Sequence, residues 1–352
     1  MKIIGRQAFR TKNRYLRLSV YLLYILALLC FASFISPPYK TFYIEGYAQG
    51  TTYHITYYST DSLVSKQQMD SVLDKLDSSL SIYKSWSVIS QFNKSDRGIV
   101  ADAHLKKVIA RSLEIYKDSK GLFDITVEPL VQAWGFGTRH ESSMPDSAKI
   151  ASIMPCVGSN KIALVRDSLI KNKPCITIDV NGIAQGYSVD VLADFLEKNK
   201  IHNYLVEVGG ELRCKGKKLP GNEPIAIGIE AANDNPFQEL TLQKKIVIGD
   251  GAITTSGINK KSYKKGRRKI SHLIDPTTGY SIDNELVSVS VLAKDAITAD
   301  GYDNVLMCLG LKKAIAFVNA SKGKLAAFFI YHKQDGSLAD TATQGFRKFI
   351  RK

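Results

Sequence analysis

Between Arg268 and Ile282 the chain reads RKISHLIDPTTGYSI, which sets His272 three residues before an Asp275-Pro276 turn and behind a dense run of lysines and arginines. A histidine is a candidate general base, because its pKa lies near neutrality. Four stretches rich in Gly, Asp and Thr interrupt the hydrophobic pattern. They are GLFDITVEPLVQAWGFG with Asp124 and Thr126, IDVNGIAQGYSVD with Asp179, Asn181, Gly182, Gly186 and Asp190, VEVGGE, and the His272 stretch with Thr255-Ser256-Gly257 upstream. Glycines at strand-to-helix turns let backbone N–H groups approach phosphate, and a helix N-terminus adds a favourable dipole. Each stretch alone is equally an ordinary turn, and a histidine in a hairpin equally a structural one. His54, His104, His140, His202 and His332 show no ligand spacing and read as surface or packing residues.

The elements that must hold these groups follow from periodicity. TFYIEGYAQGTTYHITYYS alternates aromatic and β-branched residues with small ones and reads as a bent strand or strand pair. Met69, Val72, Leu73, Leu76 and Leu80 recur at helical spacing, as do Leu105, Val108, Ile109 and Leu113. These two helices are expected to cover a sheet, with Gly121 ending the second as a left-handed cap. A third helix is marked by Val189, Leu192, Ala193 and Leu196 and is expected to open from a turn at Gly186. Strands follow in NYLVEVGGELRCKG, IAIGIEAA, KKIVIGDGAITTS and LVSVSVLAK, then helices over about 296–309 and 311–320, then the strand LAAFFIYH. Short strands in succession with helices between them predict an α+β protein built on a largely antiparallel sheet. No repeat or composition break marks an interior domain boundary.

Taken together, the order and spacing of FDITVEPLVQAWGFG, DVNGIAQGYSVD, VEVGGE, ITTSG, SHLIDPTTGYSI and ITADGYDNVLMCLG closely resembles the ApbE family, the FAD:protein FMN transferases. The resemblance covers about Gly46 to Ala320, and its H-x-x-D-P-x-T-G block is the most diagnostic. It implies an enzyme that splits FAD at its pyrophosphate and moves FMN onto a threonine hydroxyl of a partner protein, with Mg²⁺ present and AMP leaving. It also implies that the metal is held by the backbone carbonyl of Ala184, the carboxylate of Asp300 and the side chain of Asn304, where many members have threonine. Residues 300 and 304 share a helix face; Asp303 is a reserve ligand. By the same resemblance His272 is the general base or phosphate orienter, while Asp275 and Thr278 shape its turn and contact the flavin-side phosphate. FAD binding falls to Gln49, Asp124, Thr126, Asp179, Gly182, Gln185, Glu207, Gly209, Gly210, Glu211 and Ser256. Gln185 stands where the family usually has lysine, and Gln49 where it usually has methionine. The implied partners are FMN-acceptor subunits of membrane redox complexes, such as the sodium-pumping NADH:quinone reductase or Rnf-type complexes. Two other readings stand beside it: an FAD pyrophosphatase that keeps the metal chemistry but uses water as acceptor, and a protein that binds FAD without cleaving it.

Composition bounds the address. The 352 residues are 45% hydrophobic, enough to bury a substantial core, and carry a formal charge of +15. Six basic residues among the first seventeen and seven between Lys260 and Lys269 account for nearly all of the excess. Without them 35 basic residues face 33 acidic ones, which argues against a general nucleic-acid groove. The second cluster, KKSYKKGRRK, reads as a solvated hairpin loop around Gly266 or as an attractor of an acidic partner or anionic membrane. Leu18 to Ile35 carries no charge and, as a helix, spans roughly 27 Å. We expect a cytoplasmic basic segment over 1–17, a signal anchor over 18–35, a linker over 36–45 and a catalytic domain over 46–352. Basic residues before the apolar run place that domain on the periplasmic face of a bacterial inner membrane. A cleaved signal peptide is the rival reading. Cys156 and Cys175 flank an expected hairpin and are either a pair or, like Cys214 and Cys308, small packing residues.

Overall fold

The computed structural model describes residue 21 and residues 38–139, 141, 144–231, 242–258, 262–265 and 268–351. The expected anchor lies outside these apart from Tyr21, as do Lys260, Lys261, Gly266 and Arg267 of the basic run. Among the described residues no helix is long and apolar enough to cross a membrane.

The centre is a mixed α+β core in which every strand pairing among the described residues is antiparallel. Eight strands form the main sheet, in the order Lys40–Ala48, Thr51–Ser59, Tyr204–Val208, Glu211–Lys215, Asp250–Gly257, Leu286–Ala293, Ala326–His332 and Leu338–Ala342. The expected strand pair near the N-terminus is a hairpin with Gln49 and Gly50 at its tip. KKIVIGDGAITTS divides instead between two sheets: Leu242–Ile248 pairs with Glu223–Glu230 in a smaller sheet, and Asp250–Gly257 joins the main one. Ser262–Lys265 pairs with Arg268–Ser271, as expected of a hairpin around Gly266.

Side-chain alternation explains why the last long strand, AAFFIYH, is apolar on both faces. Ala327 and Phe329 enter the main core under the helices, while Ala326, Phe328 and Ile330 enter a second core beneath the small sheet. The helices on the first face are Lys66–Leu80, Ala103–Asp118, Asn181–Lys198 and Ala296–Leu309. Lys66–Leu80 opens on a capping box in which Ser65 Oγ accepts from Gln68 N and Gln68 Oε1 accepts from Ser65 N. Ala103–Asp118 ends before Gly121. Its left-handed exit is shared by Lys120, at φ 56°, and Gly121, at φ 89°, whose N–H reaches Tyr116 O.

Gly186 does not open the third helix from a preceding turn, as the sequence suggested. The helix begins at Asn181, bends at Gly182, and carries Gly186 on its second turn. A Cβ at Gly186 would lie 2.4 Å from Ala296 O and 2.7 Å from Asp300 Cβ. The glycine is therefore a contact point that lets the Ala296–Leu309 helix press against this one. Asp190, one turn further on, secures the contact: Oδ1 accepts from Ala296 N at 2.9 Å and Oδ2 from Ile297 N at 2.8 Å. Arg213 pairs with the same carboxylate at 3.0 Å. These bonds satisfy amides that a helix N-terminus leaves open.

The Gly186 contact yields a stability prediction. Gly186→Ala should cost about 1–3 kcal/mol from overpacking, with a lower urea midpoint and an unchanged m-value.

Candidate active site

The two helices joined at Gly186 form one wall of a cavity of about 420 Å³, within the range of small-molecule sites. The tip of the first hairpin, the turn after Val208, the end of the Asp250–Gly257 strand, the loop after Ser271, Tyr83 and the segment 122–136 supply the others. Of the residues singled out by sequence, Gln49, Asp124, Asp179, Gly182, Gln185, Gly209, Glu211, Ser256, His272, Asp300 and Asn304 line this one cavity. Asp303, the reserve ligand, lines it too and accepts from Thr254 Oγ1 at 2.8 Å.

Asp300 is 5% exposed. Its Oδ2 accepts from Gly186 N at 2.8 Å, and no lysine or arginine pairs with it among the described residues. Burial pushes its pKa up to about 7, opposed by the Gly186 N–H and assisted by the charge of Asp190. One turn on, Asn304 Nδ2 donates to Gly182 O at 3.2 Å and Asp300 O at 3.0 Å. Among the described residues its Oδ1 has one long contact, accepting from Ser256 Oγ at 3.4 Å. Ala184 belongs to the first turn of the opposite helix, and its carbonyl accepts from Ser188 Oγ at 2.8 Å. Asp300 and Asn304 thus lean on the backbone on either side of Ala184, through Gly186 N and Gly182 O.

His272 follows the Arg268–Ser271 strand, half-buried, with its ring edge-to-face against Phe136 at 6.2 Å between centroids. Phe136 comes from the Trp-Gly-Phe-Gly turn, so two segments far apart in sequence fix one wall. Gly209 has φ 59°, and a Cβ there would fall 1.8 Å from Gln185 Nε2, which donates to Val208 O at 3.1 Å. The glycine makes room for the glutamine amide.

Other sequence-chosen residues take places beside the cavity rather than on it. Thr126 is fully buried: Thr126 N and Oγ1 both donate to Asp124 Oδ1, and Thr126 Oγ1 accepts from Gly158 N at 2.6 Å. Asp124 also accepts from Ser159 N and Ser159 Oγ, so this pair fastens the wall to the segment closed by the Cys156–Cys175 disulfide. Glu207 takes His54 Nδ1 and Gly210 N, each at 2.6 Å, which keeps both Glu207 and Gly210 behind the turn. Asp275 Oδ1 accepts from Thr277 N and Oγ1, and its backbone O from Thr278 N and Gly279 N. Asp275 and Thr278 line a neighbouring cavity of about 410 Å³ that shares Cys308 with the first.

Sequence reasoning missed the apolar and aromatic walls. Leu122, Phe123, Phe136 and the exposed Tyr83 all line the cavity. Tyr83 carried no signal, since a tyrosine between two helices reads as surface. The lining also contains five carboxylates and, among the described residues, no lysine or arginine.

A family model described as the ApbE family matches residues 49–329. The chain belongs to the ApbE family. The FAD:protein FMN transferase of Vibrio cholerae is 32% identical over 322 residues, spanning 90% of this chain and 94% of that one. That of Escherichia coli K12 is 32% identical over 318 residues, spanning 87% and 88%. Among solved structures, the flavin transferase ApbE from Vibrio cholerae superposes with a TM-score of 0.79 at 32% identity, over 89% of this chain and all of that one. The apo flavinyl transferase ApbE of Pseudomonas stutzeri gives 0.79 at 30% identity, over 89% and 97%. This ApbE chain shares their α+β fold with its large antiparallel sheet.

The burial of Asp300 predicts a pH dependence. Its folded pKa lies above the ordinary value of 3.8, so between about pH 4 and pH 7 the native state holds a proton that the unfolded chain releases. That stability is complete below about pH 4 and is lost as pH rises through about 7. Thermal melts in chelator should show the wild type losing a few degrees between pH 5 and 8, and Asp300→Asn losing less and lying above it at pH 8.

Proposed function

We propose that this chain transfers FMN from FAD to a threonine hydroxyl of a partner flavoprotein, with Mg²⁺ bound and AMP released. The observation that carries the reading is one cavity holding His272, Asp300 and Asn304 within a ring of carboxylates that lacks a lysine or arginine among the described residues. A divalent cation entering with a dinucleotide diphosphate would offset charge on both the diphosphate and the lining carboxylates. The donors suit a hard divalent ion, because they are all oxygens: the Asp300 carboxylate, the weakly engaged Asn304 amide oxygen and the Ala184 carbonyl. When bound, the ion supplies charge neutralisation and polarises the phosphoryl oxygens.

The protein's own groups supply the rest. His272 takes the proton from the threonine hydroxyl, whose oxygen then attacks the flavin-side phosphorus. The anhydride P–O bond breaks, and AMP leaves with the bridging oxygen. Phe136 keeps the imidazole upright, and the hydrogen-bonded turn at Asp275 holds the loop that carries it. Gly209 and Gly182 leave room for the Gln185 and Asn304 amides on the cavity wall, while the exposed ring of Tyr83 offers a stacking face for the flavin. Gln185 provides a neutral amide where the resemblance implies a lysine.

The acceptors in this reading are flavoprotein subunits of membrane redox complexes of the sodium-pumping NADH:quinone reductase or Rnf type. The enzyme would be held at the bacterial inner membrane by residues 18–35, with its domain in the periplasm. The Cys156–Cys175 disulfide supports an oxidising compartment.

Incubating residues 38–352 with FAD, Mg²⁺ and an acceptor domain should add the mass of FMN less water to the acceptor. His272→Ala should slow this at least about a hundredfold. AMP and free FMN without acceptor mass gain would replace transfer by hydrolysis, and intact FAD retained on the protein would replace it by storage.

A further inference from the structure

A relay of hydrogen bonds joins the cavity to the carbonyl assigned above to the cation. Gln49, at the hairpin tip with φ 55°, lines the cavity, and its Nε2 donates to Ser188 Oγ at 2.9 Å. Ser188 is fully buried, and its hydroxyl donates to Ala184 O at 2.8 Å. As an interior residue of the Asn181–Lys198 helix, Ser188 also points its backbone N–H at that carbonyl, four residues back. A carbonyl oxygen has two lone pairs, and here both are engaged. An ion can take Ala184 O only when the Ser188 hydroxyl turns away. The hydroxyl faces Ala184 because Gln49 presents an N–H to its oxygen, which leaves its single proton to be given onward. Turning the Gln49 amide over would offer a carbonyl oxygen instead and draw that proton off Ala184.

We propose that Ser188 locks the cation site and that Gln49 releases the lock when the dinucleotide engages its amide. The proposal rests on the reading of Ala184 as a cation ligand. It deepens that reading by making cation and dinucleotide binding mutually dependent: FAD contact at Gln49 frees a ligand for the ion, and the ion must tighten FAD by the same factor. Gln49 touches the substrate, whereas Ser188 is a positioning residue acting through Ala184. The pair would keep the carboxylate-rich cavity from loading an ion without its nucleotide.

The test uses Mn²⁺ as probe, with binding followed by electron paramagnetic resonance, with and without FAD. A His272→Ala background keeps FAD intact. Ser188→Ala should tighten Mn²⁺ binding to the FAD-free protein by roughly three- to tenfold, the affinity equivalent of one net hydrogen bond, and reduce the FAD-induced gain by the same factor. Gln49→Met, at an accessible hairpin tip, should move both quantities the same way and guards against a folding defect at the buried serine. Unchanged or weaker Mn²⁺ binding in both variants would overturn the lock. Asp300→Asn should abolish binding in either state. If it binds Mn²⁺ as tightly as the wild type, the cation reading itself fails and takes the lock with it.

Discussion

A carboxylate held away from water, with a backbone N–H as its hydrogen-bond partner among the described residues, governs this molecule. Asp300 is buried on the Ala296–Leu309 helix and reaches across to Gly186 N. Such a group is costly unless a cation or a proton offsets its charge. Everything that keeps Asp300 in place serves to hold that cost: the absent side chain at Gly186, the Asp190 caps on Ala296 and Ile297, and Arg213 behind Asp190. The fold buries a carboxyl group, which takes up either a proton or a cation, where a polyanionic substrate is proposed to sit.

The same logic organises the cavity walls. Carboxylates ring it, and three neutral amides, Gln49, Gln185 and Asn304, stand among them. Amides both donate and accept, so they can exchange partners without moving charge. Specific placement therefore comes from backbone: Gln185 on Val208 O, Asn304 on Gly182 O and Asp300 O. Asp124, itself on the cavity wall, bonds back to the buried Thr126 and to Ser159 and so pins the disulfide-closed segment to that wall.

Some of this was legible from the chain alone. Apolar spacing located the helices at 66–80, 103–118, 296–309 and 311–320, because an amphipathic face must repeat at 3.6 residues whatever it packs on. Gly186 was misplaced because glycine is ambiguous: it marks a turn or a close contact, and only the partner helix distinguishes them. The division of KKIVIGDGAITTS between two sheets was hidden for a similar reason, since a strand's pattern does not name its neighbour.

The sequence by itself determined the secondary-structure pattern, the antiparallel α+β class and, through six ordered blocks, the family. Periodicity and motif order are local or one-dimensional, so they survive without coordinates. Tertiary structure alone decided that Asp124 and Thr126 bond to one another and to residues near Cys156, that Asp300 meets Gly186, and that Ser188 bonds to Ala184 O under Gln49. Those are contacts across many residues of chain or choices among rotamers. Their outcome depends on which surfaces pack together, and a linear pattern does not carry that information.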